Sequence, residues 1–307
     1  MTKIVIGCFL LFLEVGLLTA QDTILPIWPK EIPNRIDTDE REVKEYSEIL
    51  RYRLVQEPTI QVFLPAKRSA NAKAMLIFPG GGYQFLAYDW EGTDVAKFLN
   101  AQGIAAIVVK SRLPNSKSLI EAHNVPLQDA QRAMRITRAN ATTWNINPND
   151  IGIIGFSAGG HLAATLGTHF NEEVYAKQDR IDEVSARPDF MALVYPVITM
   201  KEKTHQGSKN SLLGKNPSQE RVEYFSNEMK VSANTPPTFL IHATDDTAVP
   251  VENSLLFYNA LRENKVLAAL FIYPDGGHGF GLGLHNEFLK EWPNQLLTWI
   301  GSLETKQ

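Results

Sequence analysis

A serine, a histidine and two acids of complementary chemistry stand in short segments of this sequence that are typical of loops. Ser157 is the centre of a Gly-x-Ser-x-Gly pattern at residues 155–159, His278 is flanked by glycine on both sides, and Asp245 and Asp246 are adjacent. A serine hydroxyl is a weak nucleophile until a histidine accepts its proton and a carboxylate orients that histidine. These residue types predict Ser157 as nucleophile and His278 as base, and they leave Asp245 and Asp246 as competing candidates for the orienting acid.

Three successive glycines at residues 80–82 could supply a further requirement of acyl transfer. Negative charge that develops on a carbonyl oxygen is stabilised by backbone N–H groups, and glycine lets these groups approach without obstruction by a side chain. A flexible turn is the alternative interpretation. The glycines follow an apolar run almost directly, which favours an oxyanion-binding loop.

The elements that must position these segments alternate along the chain. Short apolar runs bounded by Gly, Pro and Asn predict buried strands at residues 61–64, 74–78, 104–109, 151–156, 191–195, 238–242 and 269–273. Intervening stretches predict helices at residues 92–102, 127–143, 158–169, 251–264 and 286–303. Such alternation predicts an α/β fold in which a mainly parallel, doubly wound sheet is covered by helices on both faces.

All four candidate segments directly follow predicted strands. Reactive groups of parallel sheets gather at the carboxyl ends of the strands, so we expect these segments to meet at one edge. The chain order of nucleophile, acid and histidine is the order found in α/β-hydrolases. The sequence therefore predicts an α/β-hydrolase catalytic domain over residues 59–307.

Composition and charge exclude several classes of function. The chain has 307 residues, a formal net charge of −4 and a pI of about 6.0. A mildly acidic protein has no electrostatic reason to bind nucleic acid or an anionic membrane. No group of His, Asp and Glu residues has the spacing of metal ligands, so neither a metal nor another cofactor is expected.

The first 20 residues differ in character from the remainder of the chain. Lys3 precedes an apolar run that ends near Ala20, which predicts a secretory signal peptide and a secreted or periplasmic location. A membrane anchor is the alternative, but the run is short for a spanning helix and contains Glu14. Cys8, the only cysteine, lies in this segment, so cleavage near Ala20 would exclude disulfides and thiol chemistry. Residues 21–58 are predicted to form an extended N-terminal arm over the body.

Longer motifs around the candidate residues resemble those of bacterial α/β-hydrolases of the acetylxylan esterase and feruloyl esterase type. They occupy residues 79–83, 86–87, 91–92, 155–163, 185–190 and 246–250. The resemblance implies that Asp246, not Asp245, is the acid, because the acid of this family stands just before an x-x-Val-Pro stretch. It also implies an ester substrate, an acetylated or otherwise acylated polysaccharide or oligosaccharide such as acetylxylan. A feruloyl or general short-chain carboxylesterase is the alternative, and a serine exopeptidase is less favoured.

Similarity to hormone-sensitive-lipase-like esterases implies which backbone groups bind the oxyanion. The resemblance implies that the N–H groups of Gly81, Gly82 and Ala158 bind the oxyanion. Pro79 stands where lipases of that group usually carry histidine, and proline cannot replace a histidine donor.

Two features bear on how a substrate would bind. Tyr83, Phe85, Tyr88 and Trp90 lie just beyond the glycine run and could stack on a sugar, although packing is the commoner use of such aromatic residues. Residues 200–236 form an insertion before the sixth predicted strand. It is too short and polar for an apolar lid, and a solvated surface loop is the simpler interpretation.

Overall fold

The computed structural model describes residues 23–304, so the predicted signal peptide at residues 1–20 lies outside the described residues. The predicted α/β architecture, with its mainly parallel sheet, is confirmed. The strands are β1 (Thr23–Pro26), β2 (Val43–Tyr46), β3 (Leu50–Arg53), β4 (Thr59–Phe63), β5 (Ala74–Phe78), β6 (Leu86–Ala87), β7 (Ala105–Lys110), β8 (Ile151–Phe156), β9 (Met191–Val194), β10 (Thr238–Ala243) and β11 (Ala268–Tyr273).

Within the described part of the chain, eight strands form one sheet in the order β1-β4-β7-β5-β8-β9-β10-β11. The pairs β1–β4 and β4–β7 are antiparallel, and all pairs from β7 to β11 are parallel. Every residue of β5, β8 and β9 is buried, as expected for strands that are covered on both faces. Because β5, β8, β10 and β11 run in the same direction, the four candidate segments reach the same edge of the sheet.

The helices cover the two faces of the sheet. They are α1 (Asp94–Ala101), α2 (Val125–Ala139), α3 (Ala158–His169), α4 (Gln206–Leu213), α5 (Gln219–Tyr224), α6 (Glu252–Glu263) and α7 (Trp292–Glu304). Apolar side chains of α1 and α7 belong to one buried cluster, and those of α2, α3 and α6 belong to another on the opposite face. No helix within residues 23–304 has the length and apolarity needed to cross a membrane.

Parts of the predicted N-terminal arm are built into the body. Strand β1 extends the main sheet by pairing with β4, and the Trp28 side chain is buried. Strands β2 and β3 form a hairpin that pairs with β6 in a second, three-stranded sheet. This hairpin brings Glu48, Ile49 and Arg51 to the edge of the main sheet where the candidate segments meet.

The predicted polar insertion at residues 200–236 contains helices α4 and α5. Leu212, Leu213, Val222 and Phe225 are buried in the same apolar cluster as α2 and α3. The segment therefore packs on the core and is not a solvated loop, because these apolar residues point inward between polar neighbours.

A buried ion pair joins the N-terminal segment, the end of β7 and helix α2. The guanidinium of Arg112 donates to both oxygens of Asp129, and the side chains are 1% and 0% exposed. Trp28 Nε1 donates to Asp129 Oδ1 at 2.7 Å. A single carboxylate thus satisfies donors from three parts of the chain.

We expect Asp129→Ala to lower the free energy of unfolding by about 3–5 kcal/mol, because Arg112 would keep a buried charge without its partner. Equilibrium urea unfolding measures the change. Lys97→Ala removes an ion pair with Asp94 in which both side chains are largely exposed, and it should have a much smaller effect. Equal losses in the two variants would contradict this interpretation.

Candidate active site

Ser157 lies at the sharp turn between β8 and α3. Its φ of +53° and ψ of −119° lie outside the regions that side-chain-bearing residues normally occupy. A Cβ on Gly155 would lie 2.3 Å from the Gly159 carbonyl oxygen, and one on Gly159 would lie 2.1 Å from the Phe78 carbonyl oxygen. The two glycines are therefore a steric requirement of the turn, which holds Ser157 in a conformation of the kind found at functional sites.

Ser157, His278 and Asp246 form a chain of hydrogen bonds. Ser157 Oγ lies 2.8 Å from His278 Nε2, and His278 Nδ1 lies 2.6 Å from Asp246 Oδ2. An ionised Asp246 can only accept, so Nδ1 carries the proton and Nε2 is left to accept from the serine hydroxyl. The arrangement can deprotonate Ser157 and stabilise the imidazolium that results.

The Asp246 carboxylate is held by more than His278. Its Oδ1 accepts hydrogen bonds from the N–H groups of Ala248 and Val249, at 2.9 and 2.8 Å. Its Oδ2 lies 3.2 Å from Nε2 of His242, a fully buried histidine. Burial opposes ionisation of Asp246, but these hydrogen bonds and the charge of His278 outweigh it and hold the pKa of Asp246 well below its usual value.

His242 was not predicted as part of the site. Its Nε2 lies 2.9 Å from the Val249 carbonyl oxygen, which can only accept, so Nε2 carries the proton and shares it between this carbonyl and Asp246. Its Nδ1 then accepts a hydrogen bond from the Ser254 hydroxyl at 2.8 Å. The sequence shows only a histidine at the end of a strand, four residues before Asp246. That spacing across a strand end is a weak signal, because the orientation of His242 depends on α6.

Asp245 takes a different position from Asp246. Its side chain is exposed, and Oδ1 accepts a hydrogen bond from the Gly277 N–H at 2.8 Å. Asp245 thus fastens the loop that carries His278, whereas Asp246 contacts the imidazole itself. Of the two acids that the residues alone left open, the structure brings Asp246 to His278.

The glycine loop after β5 presents free backbone donors. Gly81 has a φ of +129°, and a Cβ there would lie 2.1 Å from the Phe85 carbonyl oxygen, so only glycine fits. Among the described residues, no acceptor is bonded to the N–H groups of Gly81, Gly82 or Ala158. Gly81 and Gly82 border the same cavity as Ser157, and Ala158 follows Ser157 at the first position of α3. These three groups could therefore bind an oxyanion next to Ser157.

A buried glutamate connects the glycine loop to the loop of His278. Glu91 Oε2 accepts a hydrogen bond from the Gly80 N–H at 2.7 Å, and Oε1 accepts one from the Tyr195 hydroxyl at 2.7 Å. The Tyr195 hydroxyl in turn accepts from the Gly281 N–H at 3.0 Å. Burial raises the pKa of Glu91 against the opposing effect of these hydrogen bonds. Glu91 lies in a motif that carries the resemblance, but the sequence alone does not indicate this role.

Ser157 and His278 open on a cavity of about 640 Å³. Trp90 borders it and donates from Nε1 to the Gly279 carbonyl at 2.8 Å. The inserted segment contributes His205, which was not predicted and whose Nδ1 accepts from the Ser208 N–H. Burial and the charge of His278 lower the pKa of His205. Within residues 23–304, no group of three or more His, Cys, Asp and Glu side chains is placed to hold a metal ion.

Tyr83 and Tyr88 do not border this cavity, which corrects their prediction as sugar-stacking residues. Both side chains are 5% exposed. Tyr83 has a φ of +59°, and its hydroxyl lies 2.8 Å from His161 Nδ1. His161 Nε2 donates to the Phe225 carbonyl at 2.8 Å. The left-handed backbone turns Tyr83 into the core, where it fixes the end of the glycine loop to α3.

A known protein family matches this chain over most of its length. The BD-FAE family model matches residues 60–261. The chain belongs to the BD-FAE family. The predicted resemblance to acetylxylan esterase-type enzymes is confirmed by similar proteins of known name.

Three relatives of this BD-FAE chain are informative. An acetylxylan esterase of Xylanibacter ruminicola is 39% identical over 246 residues, which are 78% of this chain and 47% of the relative. Endo-1,4-beta-xylanase B of Butyrivibrio fibrisolvens is 41% identical over 218 residues, which are 71% of this chain and 34% of the relative. The chain thus spans a third to a half of these relatives. The crystal structure of an acetyl ester-xyloside bifunctional hydrolase from Caldicellulosiruptor lactoaceticus matches this chain with a TM-score of 0.80 and 37% identity. The match covers 94% of this chain and 98% of the hydrolase chain.

The buried histidine beside Tyr83 predicts a pH dependence of stability. Burial lowers the pKa of His161 to about 4, whereas the pKa of a histidine in the unfolded chain is about 6.5. Below pH 6.5 the unfolded state therefore takes up a proton that the folded state does not, and the free energy of unfolding falls as the pH falls. We expect a loss of about 2 kcal/mol from this group between pH 7.5 and pH 5, measured by urea unfolding. His161→Gln should make the free energy of unfolding depend less steeply on pH. An unchanged dependence would contradict the low pKa of His161.

The contrast between the adjacent acids predicts unequal effects on the reactivity of Ser157. Asp246→Asn should slow labelling of Ser157 by a fluorophosphonate probe by on the order of 10³–10⁴-fold, because His278 would lose the acceptor that fixes its tautomer. Asp245→Asn removes only the contact with Gly277, so we expect a far smaller change. Mass spectrometry of the labelled serine peptide gives both rates, and similar rates in the two variants would contradict the assignment.

Proposed function

We propose that this protein is a serine carboxylic-ester hydrolase that deacetylates an esterified polysaccharide or oligosaccharide such as acetylxylan. The observation that carries the proposal is the chain of hydrogen bonds from Ser157 through His278 to Asp246, at 2.8 and 2.6 Å. It opens on a cavity that is also bordered by the unoccupied N–H groups of the glycine loop. This combination is what acyl transfer through a serine ester requires.

The first half of the reaction forms an acyl-enzyme. His278 Nε2 takes the hydroxyl proton as Ser157 Oγ attacks the ester carbonyl carbon, and Asp246 stabilises the imidazolium. The N–H groups of Gly81, Gly82 and Ala158 donate to the oxyanion of the tetrahedral intermediate, where loss of one donor typically costs about 3–4 kcal/mol. The intermediate collapses when His278 returns the proton to the departing alcohol oxygen.

The second half restores the enzyme. His278 Nε2 takes a proton from water, whose oxygen attacks the acyl carbon and passes through a second tetrahedral intermediate at the same donors. Ser157 Oγ then leaves and regains its proton from His278, and the carboxylic acid is released. Glu91 and Tyr195 hold the glycine loop and the histidine loop in fixed relative positions during both steps, since their hydrogen bonds join Gly80 to Gly281.

The choice of an acetylated saccharide is supported by two kinds of observation. The names of similar proteins refer to acetylxylan, xylanase and an acetyl ester-xyloside hydrolase. The Trp90 side chain borders the cavity and can offer an apolar face to a sugar ring. The cavity is also open to other esters, so a feruloyl or short-chain carboxylesterase is tested beside the main proposal.

We expect Ser157→Ala to fold normally and to lose essentially all hydrolysis of p-nitrophenyl acetate, a fall on the order of 10⁶-fold in kcat. For the wild type, acetate released from acetylated xylan should exceed the products released from methyl ferulate, a long-chain nitrophenyl ester and an aminoacyl nitroanilide. Unfolding in urea controls for the integrity of the variant. Retained esterase activity in Ser157→Ala would exclude this nucleophile, and preference for methyl ferulate or the anilide would redirect the substrate class.

A further inference from the structure

An arginine from the N-terminal hairpin borders the cavity that contains Ser157. Side chains alternate between the two faces of a strand, so Arg51 and Arg53 of β3 lie on the same face. Both guanidinium groups lie over the ring of Phe85, at 5.1 and 5.0 Å from its centroid. Arg51 and Phe85 also border the cavity, whereas Arg53 does not.

The two arginines differ in their partners. Arg53 Nε donates to Glu45 Oε2 at 3.2 Å. Among residues 23–304, no carboxylate forms an ion pair with Arg51, and its Nε is buried without a hydrogen-bond partner. Arg51 is thus a partly buried cation whose charge is not balanced by a contact within the protein.

The acids that share the cavity with Arg51 do not supply this contact. Glu48 is exposed and, within the described chain, makes no ion pair with Arg51. Glu91 uses one oxygen for the Gly80 N–H and the other for the Tyr195 hydroxyl. An anion that enters the cavity would therefore meet Arg51 without displacing a protein carboxylate.

The chemistry of the guanidinium indicates which anion fits. Its planar array of N–H donors matches the two oxygens of a carboxylate, and stacking on an aromatic ring fixes the plane of the donors. Phe85 provides that ring for Arg51. A partly buried arginine without a partner also gains more from a bound carboxylate than a solvated arginine does.

We propose that Arg51 forms a subsite for a carboxylate carried by the substrate, so that the protein prefers acidic esters, such as acetylated uronic-acid-containing saccharides, over neutral ones. The proposal rests on the proposed function, since it concerns the same cavity and the same Ser157. The carboxylate can belong to the sugar or to the acyl group, and matched substrates separate these two sources.

The test compares two pairs of esters in which one member has a carboxylate where the other has an uncharged group. The first pair is a mono-O-acetylated methyl glucuronoside and the matching methyl glucoside, and the second is p-nitrophenyl succinate and p-nitrophenyl butyrate. The readout is the ratio of kcat/KM for the anionic ester to that for its neutral partner. We expect the wild type to favour the anionic member of at least one pair, and Arg51→Gln to lower that ratio about tenfold, the equivalent of about 1.4 kcal/mol.

Two further variants separate charge, geometry and general effects. Arg51→Lys keeps the charge but not the planar donors, so its ratio should lie between those of Arg51→Gln and the wild type. Arg262 also stacks on an aromatic ring, that of Tyr258, but it is exposed on α6, and Arg262→Gln should retain the wild-type ratio. The preference should also weaken as the salt concentration rises.

The outcomes distinguish this proposal from the proposed function. A ratio near one in both pairs, or a preference that survives in Arg51→Gln, would overturn the carboxylate subsite while the hydrolysis of neutral esters still supports an esterase. If the wild type hydrolyses none of the esters, the proposed function fails, and the subsite is then judged by ligand protection. Methyl glucuronoside or succinate should slow fluorophosphonate labelling of Ser157 more than methyl glucoside or butanol does, and absence of this difference would exclude the subsite.

Discussion

The site depends above all on the sharp turn at Ser157. A serine with a φ of +53° and a ψ of −119° persists only where its surroundings leave no alternative. Strand β8 is completely buried between β5 and β9, and helix α3 packs directly against it. The close contacts at Gly155 and Gly159 lock the junction, since any side chain there would collide with backbone. The parallel sheet thus fixes the position of the nucleophile, and the neighbouring strand ends bring the remaining groups to it.

Electrostatic balance around Asp246 is the second constraint. A buried carboxylate is costly unless it is paired and hydrogen-bonded, and Asp246 receives bonds from two histidines and two backbone N–H groups. Glu91 is buried in a similar way, but burial dominates and its pKa rises. The two acids therefore serve different ends. Asp246 remains a charged acceptor for His278, whereas Glu91 accepts from the glycine loop directly and is joined to the histidine loop through the Tyr195 hydroxyl.

The sequence was sufficient to predict the parallel sheet and the residues that follow its strands, because both depend on short-range patterns. Apolar runs mark β5, β8 and β10, and the residues after them are set by the direction of the strands. His205, Glu91 and Arg51 could not be assigned in this way. Each reaches the cavity through contacts with distant parts of the chain, such as the pairing of β3 with β6. Tyr83 was assigned to the wrong environment, because a left-handed backbone at an ordinary-looking tyrosine reverses the direction of the side chain.

The buried contact between Trp28 and Asp129 has a consequence for the order of folding. The two residues are 101 positions apart, so the N-terminal segment cannot be buried until the chain has been synthesised through α2. Long-range contacts of this kind form late, because the entropy of closing a long loop must be overcome first. The segment around Trp28 is thus synthesised well before Asp129, but it reaches its native place only after α2 has formed.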